Sequence, residues 1–428
     1  MKNTLILLLA SVSVAIAQDV KLSSEPAHTA VGAVDMREAR IVTSAKPLAN
    51  ELDVCWKADA PDNKIKATKD LTNKNYLNEV VFENLEPNTE YKYIVNGITG
   101  SFKTKPDYLD RTPPPDFTFV ALGNNYINDK KYDVPFKTEG GEYEVFQSVC
   151  SAKPDFAIWV GTQNVLRNAD VGSASAIFNR LLQARTFEQS KKLFNSTANY
   201  SVPNADVIAD STSVGAVEKM TSFARLWANP KSTEKNSHCY SFSYADADFF
   251  VLDDFSNRTN LDYGDARPKM LGQAQMNWLF NALANSKATF KFIVMNTPIA
   301  NPVESSENFT FASEERKALL AFLSEKKIEG VLMISGKKGY GEITKLIRAG
   351  AYPIYELTTT PLTDRPAKEI KEMNYFRVPS SATLKRGFSQ IKIEGKEGAR
   401  TVTFTFFNSK GEQGFSHTIK ESELKKFE

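Results

Sequence analysis

The chain has 428 residues, 42% hydrophobic and 24% charged, with 53 basic and 51 acidic side chains for a formal net charge of +2. That length accommodates two domains, and the composition is ordinary for a globular protein. The charge balance excludes a dedicated nucleic-acid binder and gives no reason to expect attraction to anionic membranes.

The first residues read as a secretory signal peptide: Lys2, an apolar run from Leu5 to Ala10, and the small-x-small site Ala15-Ile16-Ala17 before Gln18. The apolar run is shorter than the roughly 20 residues a membrane-spanning helix needs. Residues 1–17 are therefore expected to be removed, leaving an exported chain, periplasmic or secreted, with no transmembrane segment. From about Thr29 to Lys105, short β-branched or aromatic runs (Arg40–Thr43, Asp53–Trp56, Glu79–Phe82, Tyr91–Tyr93) alternate with Asn, Asp, Pro and Gly turns. This spacing predicts an N-terminal β-sandwich of fibronectin III size over residues 18–111. Thr112-Pro113-Pro114-Pro115 follows as an extended linker, since proline fixes φ and lacks an amide donor.

Beyond the linker the pattern changes. The apolar runs Phe117–Leu122, Phe156–Val160, Phe249–Leu252, Phe290–Met295 and Gly330–Ile334 alternate with helical stretches such as Gln273–Ala284 and Glu314–Glu325. Near-continuous apolar strands between helices predict a buried α/β sheet (α+β by some schemes) over residues 116–428, its chemistry in the loops after the strands. Ser389–Ile393 and Thr401–Phe407 add strand-like segments in the tail. Three cysteines occur: Cys55 reads as a small buried hydrophobe, and Cys150 and Cys239 could bridge in an oxidising compartment, which spacing alone does not decide. Histidines number three, His28, His238 and His417, and none falls in a strand-end loop of the second domain.

Several stretches, in order, resemble the alkaline phosphatase D (PhoD-like) metallophosphoesterases: Val34–Ala39, Leu85–Tyr93, Asp116–Phe119, Leu226–Pro230, Asp246–Phe250, Met270–Gln273, Asn285–Lys291 and Tyr352–Thr358. The resemblance implies a metallophosphoesterase-like core of β-sheet flanked by helices, and a metal centre in the strand-end loops. Those loops are where the chain departs from the family. A Gly-Ser-Cys turn is replaced by Gly123-Asn124-Asn125, and Leu-Gly-Asp-Asn by Val160-Gly161-Thr162-Gln163, with Thr162 at the metal-binding Asp. Trp-Asp-Asp-His-Asp-Tyr-Gly becomes Ala209-Asp210-Ser211-Thr212-Ser213-Val214-Gly215. Leu-Asp-Asp-Arg becomes Leu252-Asp253-Asp254-Phe255, and Ser-Gly-Asp-Arg-His becomes Ser335-Gly336-Lys337-Lys338-Gly339.

A binuclear site needs several carboxylate or imidazole ligands to neutralise two cations and acidify a bound water. Neutral hydroxyls, a lysine and a glycine at those positions lead us to expect no metal cofactor and no phosphatase activity, and a role as a binding or scaffold component with a protein partner in the cell envelope. Two alternatives stay open: a residual or altered phosphomonoesterase or phosphodiesterase using Asp210 or Asp254, and a phosphate- or anion-binding module using Lys337 and Lys338. Asp253 and Asp254 read better as turn caps than as a surviving acid pair.

Overall fold

The computed structural model describes residues 28–44, 54–56, 77–95, 97–108, 112–127, 139–165, 174–203, 220, 223–234, 237–259 and 267–425. The expected signal peptide lies outside the described residues.

Six short strands open the chain: β1 (Thr29–Val34), β2 (Ala39–Ser44), β3 (Val54–Trp56), β4 (Leu77–Phe82), β5 (Glu90–Val95) and β6 (Ile98–Lys103). They form two antiparallel three-stranded sheets, β1-β2-β4 and β3-β5-β6. Strand β5 alternates exposed and buried residue by residue, the period-2 signature of a half-buried strand, and sends Tyr91, Tyr93 and Val95 inward. Phe82, Tyr93 and Phe102 pack there with ring centroids 5.7–6.2 Å apart. This core is continuous with that of the following sheets. The Tyr93 hydroxyl donates to the Asn195 carbonyl at 3.0 Å and the Tyr200 hydroxyl to that of Val34 at 3.1 Å, tying the N-terminal strands to the rest.

Two six-stranded mixed sheets follow. One contains β7 (Phe117–Leu122), β8 (Phe156–Trp159), β9 (Ala198–Ser201), β16 (Gly387–Glu394), β17 (Thr401–Asn408) and β18 (Gln413–Lys420) in the order β18-β17-β16-β7-β8-β9. The other contains β10 (Tyr240–Tyr244), β11 (Ala247–Val251), β12 (Phe290–Val294), β13 (Val331–Ser335), β14 (Glu342–Arg348) and β15 (Ala351–Thr358) in the order β10-β11-β12-β13-β15-β14. Within each sheet β7-β8-β9 and β11-β12-β13-β15 run parallel. The two sheets meet through aromatic rings: Phe249 stacks on Phe292 at 4.9 Å and on Phe242 at 4.7 Å, and meets Phe119 edge-on at 5.2 Å.

Strands β7 and β8 of the first sheet are buried on both faces. Phe119, Ala121, Phe156 and Ile158 point to the second sheet, while Val120, Leu122, Ala157 and Trp159 point to a second core. That core is built with α1 (Val145–Ser151), α2 (Ala174–Thr186) and α3 (Glu188–Ser196). Across the molecule, α4 (Gly272–Asn285) and α5 (Ser313–Glu325) cover the second sheet, Met276, Leu279, Leu283, Leu319 and Leu323 facing inward. Burial on both faces is why these strands are almost continuously apolar in sequence. Among the described residues no helix is long and apolar enough to cross a membrane. Cys150 and Cys239 are free thiols, so the disulfide left open by the sequence does not form; the Cys55 side chain lies outside the described residues.

The proline linker is held from the tail. Arg400, fully buried, donates to the carbonyls of Pro114 at 3.1 Å, Pro115 at 2.9 Å and Gly395 at 2.8 Å, and to Asp116 at 3.2 Å. Its Nε lies 3.0 Å from Asp246 Oδ2, without the alignment of a good hydrogen bond. Burial pushes the Asp246 carboxyl up, and the Arg400 charge opposes that shift.

Candidate functional site

The loops leaving β7, β8, β11, β12, β13 and β15 converge at one end of the paired sheets, where an open α/β architecture places its chemistry. Their polar side chains bond to one another. Asn124, after β7, accepts from the Thr162 amide at 2.9 Å and donates to the Lys337 carbonyl at 3.2 Å. Asn296, after β12, accepts from the Gly161 amide at 2.8 Å and donates to the Pro203 carbonyl at 2.8 Å and Asp254 Oδ1 at 3.1 Å. Asp254 Oδ2 accepts from the Thr297 amide at 2.9 Å. Asn125 donates to the Gln163 carbonyl at 3.0 Å and accepts from Thr363 Oγ1 at 2.5 Å, and Gln163 donates to Ser201 Oγ at 2.7 Å and the Val202 carbonyl at 2.9 Å. A carboxamide both donates and accepts, so Asn and Gln can cross-link loops with no ion between them.

Backbone packing closes the same region. Gly161 has φ +113°, and a Cβ there would sit 2.7 Å from both Asn124 Oδ1 and the Gly336 carbonyl oxygen. A Cβ on Gly336 would lie 2.0 Å from the Val160 carbonyl oxygen. The loops after β8 and β13 therefore touch through backbone, which any side chain would force apart.

The remaining expected site residues fall as follows. Asp253 caps a turn, accepting from the amides of His238, Phe255 and Ser256 at 2.9, 3.1 and 3.0 Å. Phe255 is buried in the core beneath the helices. Lys337 is exposed. Lys338 is turned inward: its Nζ lies 2.5 Å from Glu372 and 3.5 Å from Glu307, and its side chain is 3% exposed. Burial pushes Glu372 up, but the hydrogen bond and charge of Lys338 and the Tyr340 hydroxyl outweigh it and hold the carboxyl below its usual value. Gly339 packs against Ala367 and contributes only backbone, its carbonyl accepting from the Ala367 amide at 2.7 Å. Asp210, Ser211, Thr212 and Ser213 lie outside the described residues.

Sequence reasoning missed Asn296, Glu372 and Asp364. Asn296 directly follows the Phe290–Met295 run, so its strand-end position was the available signal. Asp364 lies on the loop after β15, whose amides at Leu362, Thr363 and Asp364 converge on the Asn124 carbonyl at 2.8, 3.3 and 3.2 Å. Burial, with repulsion from Glu139, pushes the Asp364 carboxyl up to about 6, against the pull of the Arg365 amide and Arg386. A carboxyl raised in the fold contributes stability that is complete below its unfolded value of 3.8 and lost as pH rises through about 6. Allowing for partial exposure, Asp364→Asn should stabilise the protein by about 1–2 kcal/mol at pH 7 and by nothing near pH 3.5. Urea unfolding at the two pH values checks this, and an equal effect at both would contradict it.

Among the described residues, no group of three or more His, Cys, Asp and Glu side chains is placed to hold a metal ion. The donor set explains this: Asp254 is the anionic side chain in the cross-linked group, and both its oxygens are already accepting.

The profile of the family described as PhoD-like phosphatase matches residues 162–405. Among solved structures, a PhoD structure superposes with a TM-score of 0.71 at 17% identity, covering 94% of this chain and 90% of that one. A purple acid phosphatase from yellow lupin (Lupinus luteus) seeds superposes with a TM-score of 0.66 at 11% identity, covering 93% of this chain and 75% of that one. Comparison with curated protein sequences gives no match. The superpositions show the fold and the family match spans more than half the chain: this chain belongs to the PhoD-like phosphatase family.

Proposed function

We propose that this protein is an exported PhoD-like chain that does not hydrolyse phosphoesters and serves as a binding or scaffold component in the cell envelope. The observation that carries this reading is the cross-linked strand-end network. Asn124, Thr162, Asn296 and Asp254 spend their polar atoms on each other and on backbone groups, which leaves a cation little to displace at low cost. A metal centre joins loops through anionic ligands; here carboxamides join them through paired donors and acceptors. The described donors do not fit a binuclear site, so no hydrolytic step is assigned to them. Retention of the aromatic sandwich beside altered loops supports a use for the fold without its chemistry. The charged, apolar and small-residue segments over residues 1–17 support export.

Elemental mass spectrometry of the purified mature protein, after exposure to iron, calcium, manganese and zinc, tests the reading together with phosphomonoester and phosphodiester assays. Near-zero metal occupancy and no turnover above buffer are expected. One or two metals per chain accompanied by turnover would sink it.

A further inference from the structure

A cavity separate from the strand-end loops lies where the N-terminal strands meet β9 and β10. It encloses about 250 Å³ and is lined by the end of β1 with Asp35, by Lys105 and Arg40, by Pro230 and Lys231, and by Tyr200, Ser241 and Phe242. Lys105 stands out. Its side chain is 9% exposed, yet its carboxylate partner, Asp35, is 3.8 Å away and itself 67% exposed. A pair so long, with one member in solvent, offsets little of the cost of burying an ammonium. The Phe242 ring, 5.5 Å from Nζ, adds a weak cation–π contact. Burial accordingly pushes the Lys105 amine below its ordinary value, with Asp35 only partly opposing.

The other carboxylate of the wall, Glu38, is committed to Arg40 at 2.8 Å, and Arg40 also binds Glu79 at 2.9 Å. Asp35 Oδ1 already accepts from the Met36 amide at 2.8 Å. Lys231 is exposed at the rim and, among the described residues, has no carboxylate partner. The wall opposite Lys105 is rigid, with Tyr200 stacked on Phe242 at 3.8 Å and its hydroxyl fixed to Val34. The cavity thus offers a buried cation whose one carboxylate partner is 3.8 Å away and largely in solvent, and a second cation, Lys231, at the mouth beside a Ser241 hydroxyl.

We propose that this cavity binds a compact oxyanion of phosphate size, with Lys105 Nζ as the buried anchor and Lys231 and Ser241 at the entrance. An ammonium acts as a point charge with three donors, which suits a small multi-acceptor anion. The bound anion would bridge the N-terminal strands, which carry Asp35, Arg40 and Lys105, to the larger sheets, which carry Tyr200 and Ser241. It would couple the two parts of the chain to anion concentration.

Calorimetric titration of the full mature chain with inorganic phosphate, and separately with acetate, tests this. Wild-type protein should bind phosphate one to one, and acetate binding of equal strength would widen the ligand class to carboxylates while supporting the site. Lys105→Met, which keeps the apolar stem, should weaken binding about tenfold or more, and the exposed Lys231→Ala a few-fold. Lys337→Ala at the strand ends should bind like wild type. No heat with either anion, or unchanged affinity in both Lys105→Met and Lys231→Ala, overturns the proposal. So does a loss confined to Lys337→Ala. None of these outcomes bears on whether the strand-end loops hold metal, which the metal and turnover measurements decide.

Discussion

Arg400→Met should lower the stability of the protein by about 3–5 kcal/mol, the penalty for stranding a buried charge without its partner. Arg400 is fully buried and donates to three carbonyl oxygens, those of Pro114, Pro115 and Gly395, while facing Asp246. Methionine fills much of the same volume but supplies no donor, so the loss is electrostatic rather than a cavity effect. The pH dependence identifies the source. Asp246 is already raised by burial, and without Arg400 it loses the charge that opposes that rise. A raised carboxyl is fully accommodated only when protonated, so the loss should be smallest below its usual value of 3.8 and grow as pH rises. Replacing both residues, Arg400→Met with Asp246→Leu, should recover a large part of the deficit by removing the stranded charge. Urea unfolding of the two variants at pH 4 and pH 7 reads both effects. A single-variant loss under about 1 kcal/mol, flat with pH, would mean the ion pair contributes nothing net.

Asn296→Ala should be of similar size, about 3–5 kcal/mol, because one side chain satisfies three buried partners. The Gly161 amide, the Pro203 carbonyl and Asp254 Oδ1 would all lose it, and each orphaned group costs about 1–3 kcal/mol before relaxation. The substitution also separates the loops after β8 and β12, so hydrogen exchange at the Gly161 amide should accelerate more than exchange in the sheet interior. Asn296→Asp keeps the acceptor for Gly161 but sets a carboxylate against Asp254, where the amide now donates. Two carboxylates at that distance cannot both ionise freely, so this variant should be weakest at neutral pH and recover toward acid. Equal exchange at Gly161 in wild type and Asn296→Ala would show that the carboxamide network does not hold the loops.

The sheets were legible in the sequence because burial on two faces removes the alternation that would otherwise confuse strand with loop. Phe117–Leu122, Phe249–Leu252 and Phe290–Met295 each announce themselves as near-continuous apolar text, interrupted by Thr118 in the first and Lys291 in the last. The helices at 273–284 and 314–325 lie within α4 and α5. Strand β14 was not legible, since it mixes Glu342, Lys345 and Arg348 with apolar residues. Its Glu342 is buried with Arg377, from another segment, 2.5 Å away. Strand β18 is an edge strand with mostly polar, exposed side chains, so no hydrophobic period marks it.

At the site, strand-end logic located the loops that carry Asn124, Thr162, Asp254 and Lys337. How those residues bond to each other was not accessible, because each bond joins segments far apart in the chain. Lys338 shows the limit most clearly. Its text, Lys337-Lys338-Gly339, fits a solvated turn or an anion contact, and only the approach of Glu372 turns Lys338 inward.

Strand β16 lies between β17 and β7, pairing Ile391 with Phe119 and Gln390 with Val120. The first strand after the linker therefore waits for a partner that begins about 265 residues beyond its own last residue. A nascent chain presents the Phe117–Leu122 edge without its β16 partner throughout that interval, an aggregation-prone strand. Completion of this sheet consequently carries the loop-closure penalty that slows non-local β pairing. A premature stop before Gly387 would not trim an appendage; it would open the sheet beside its earliest strand.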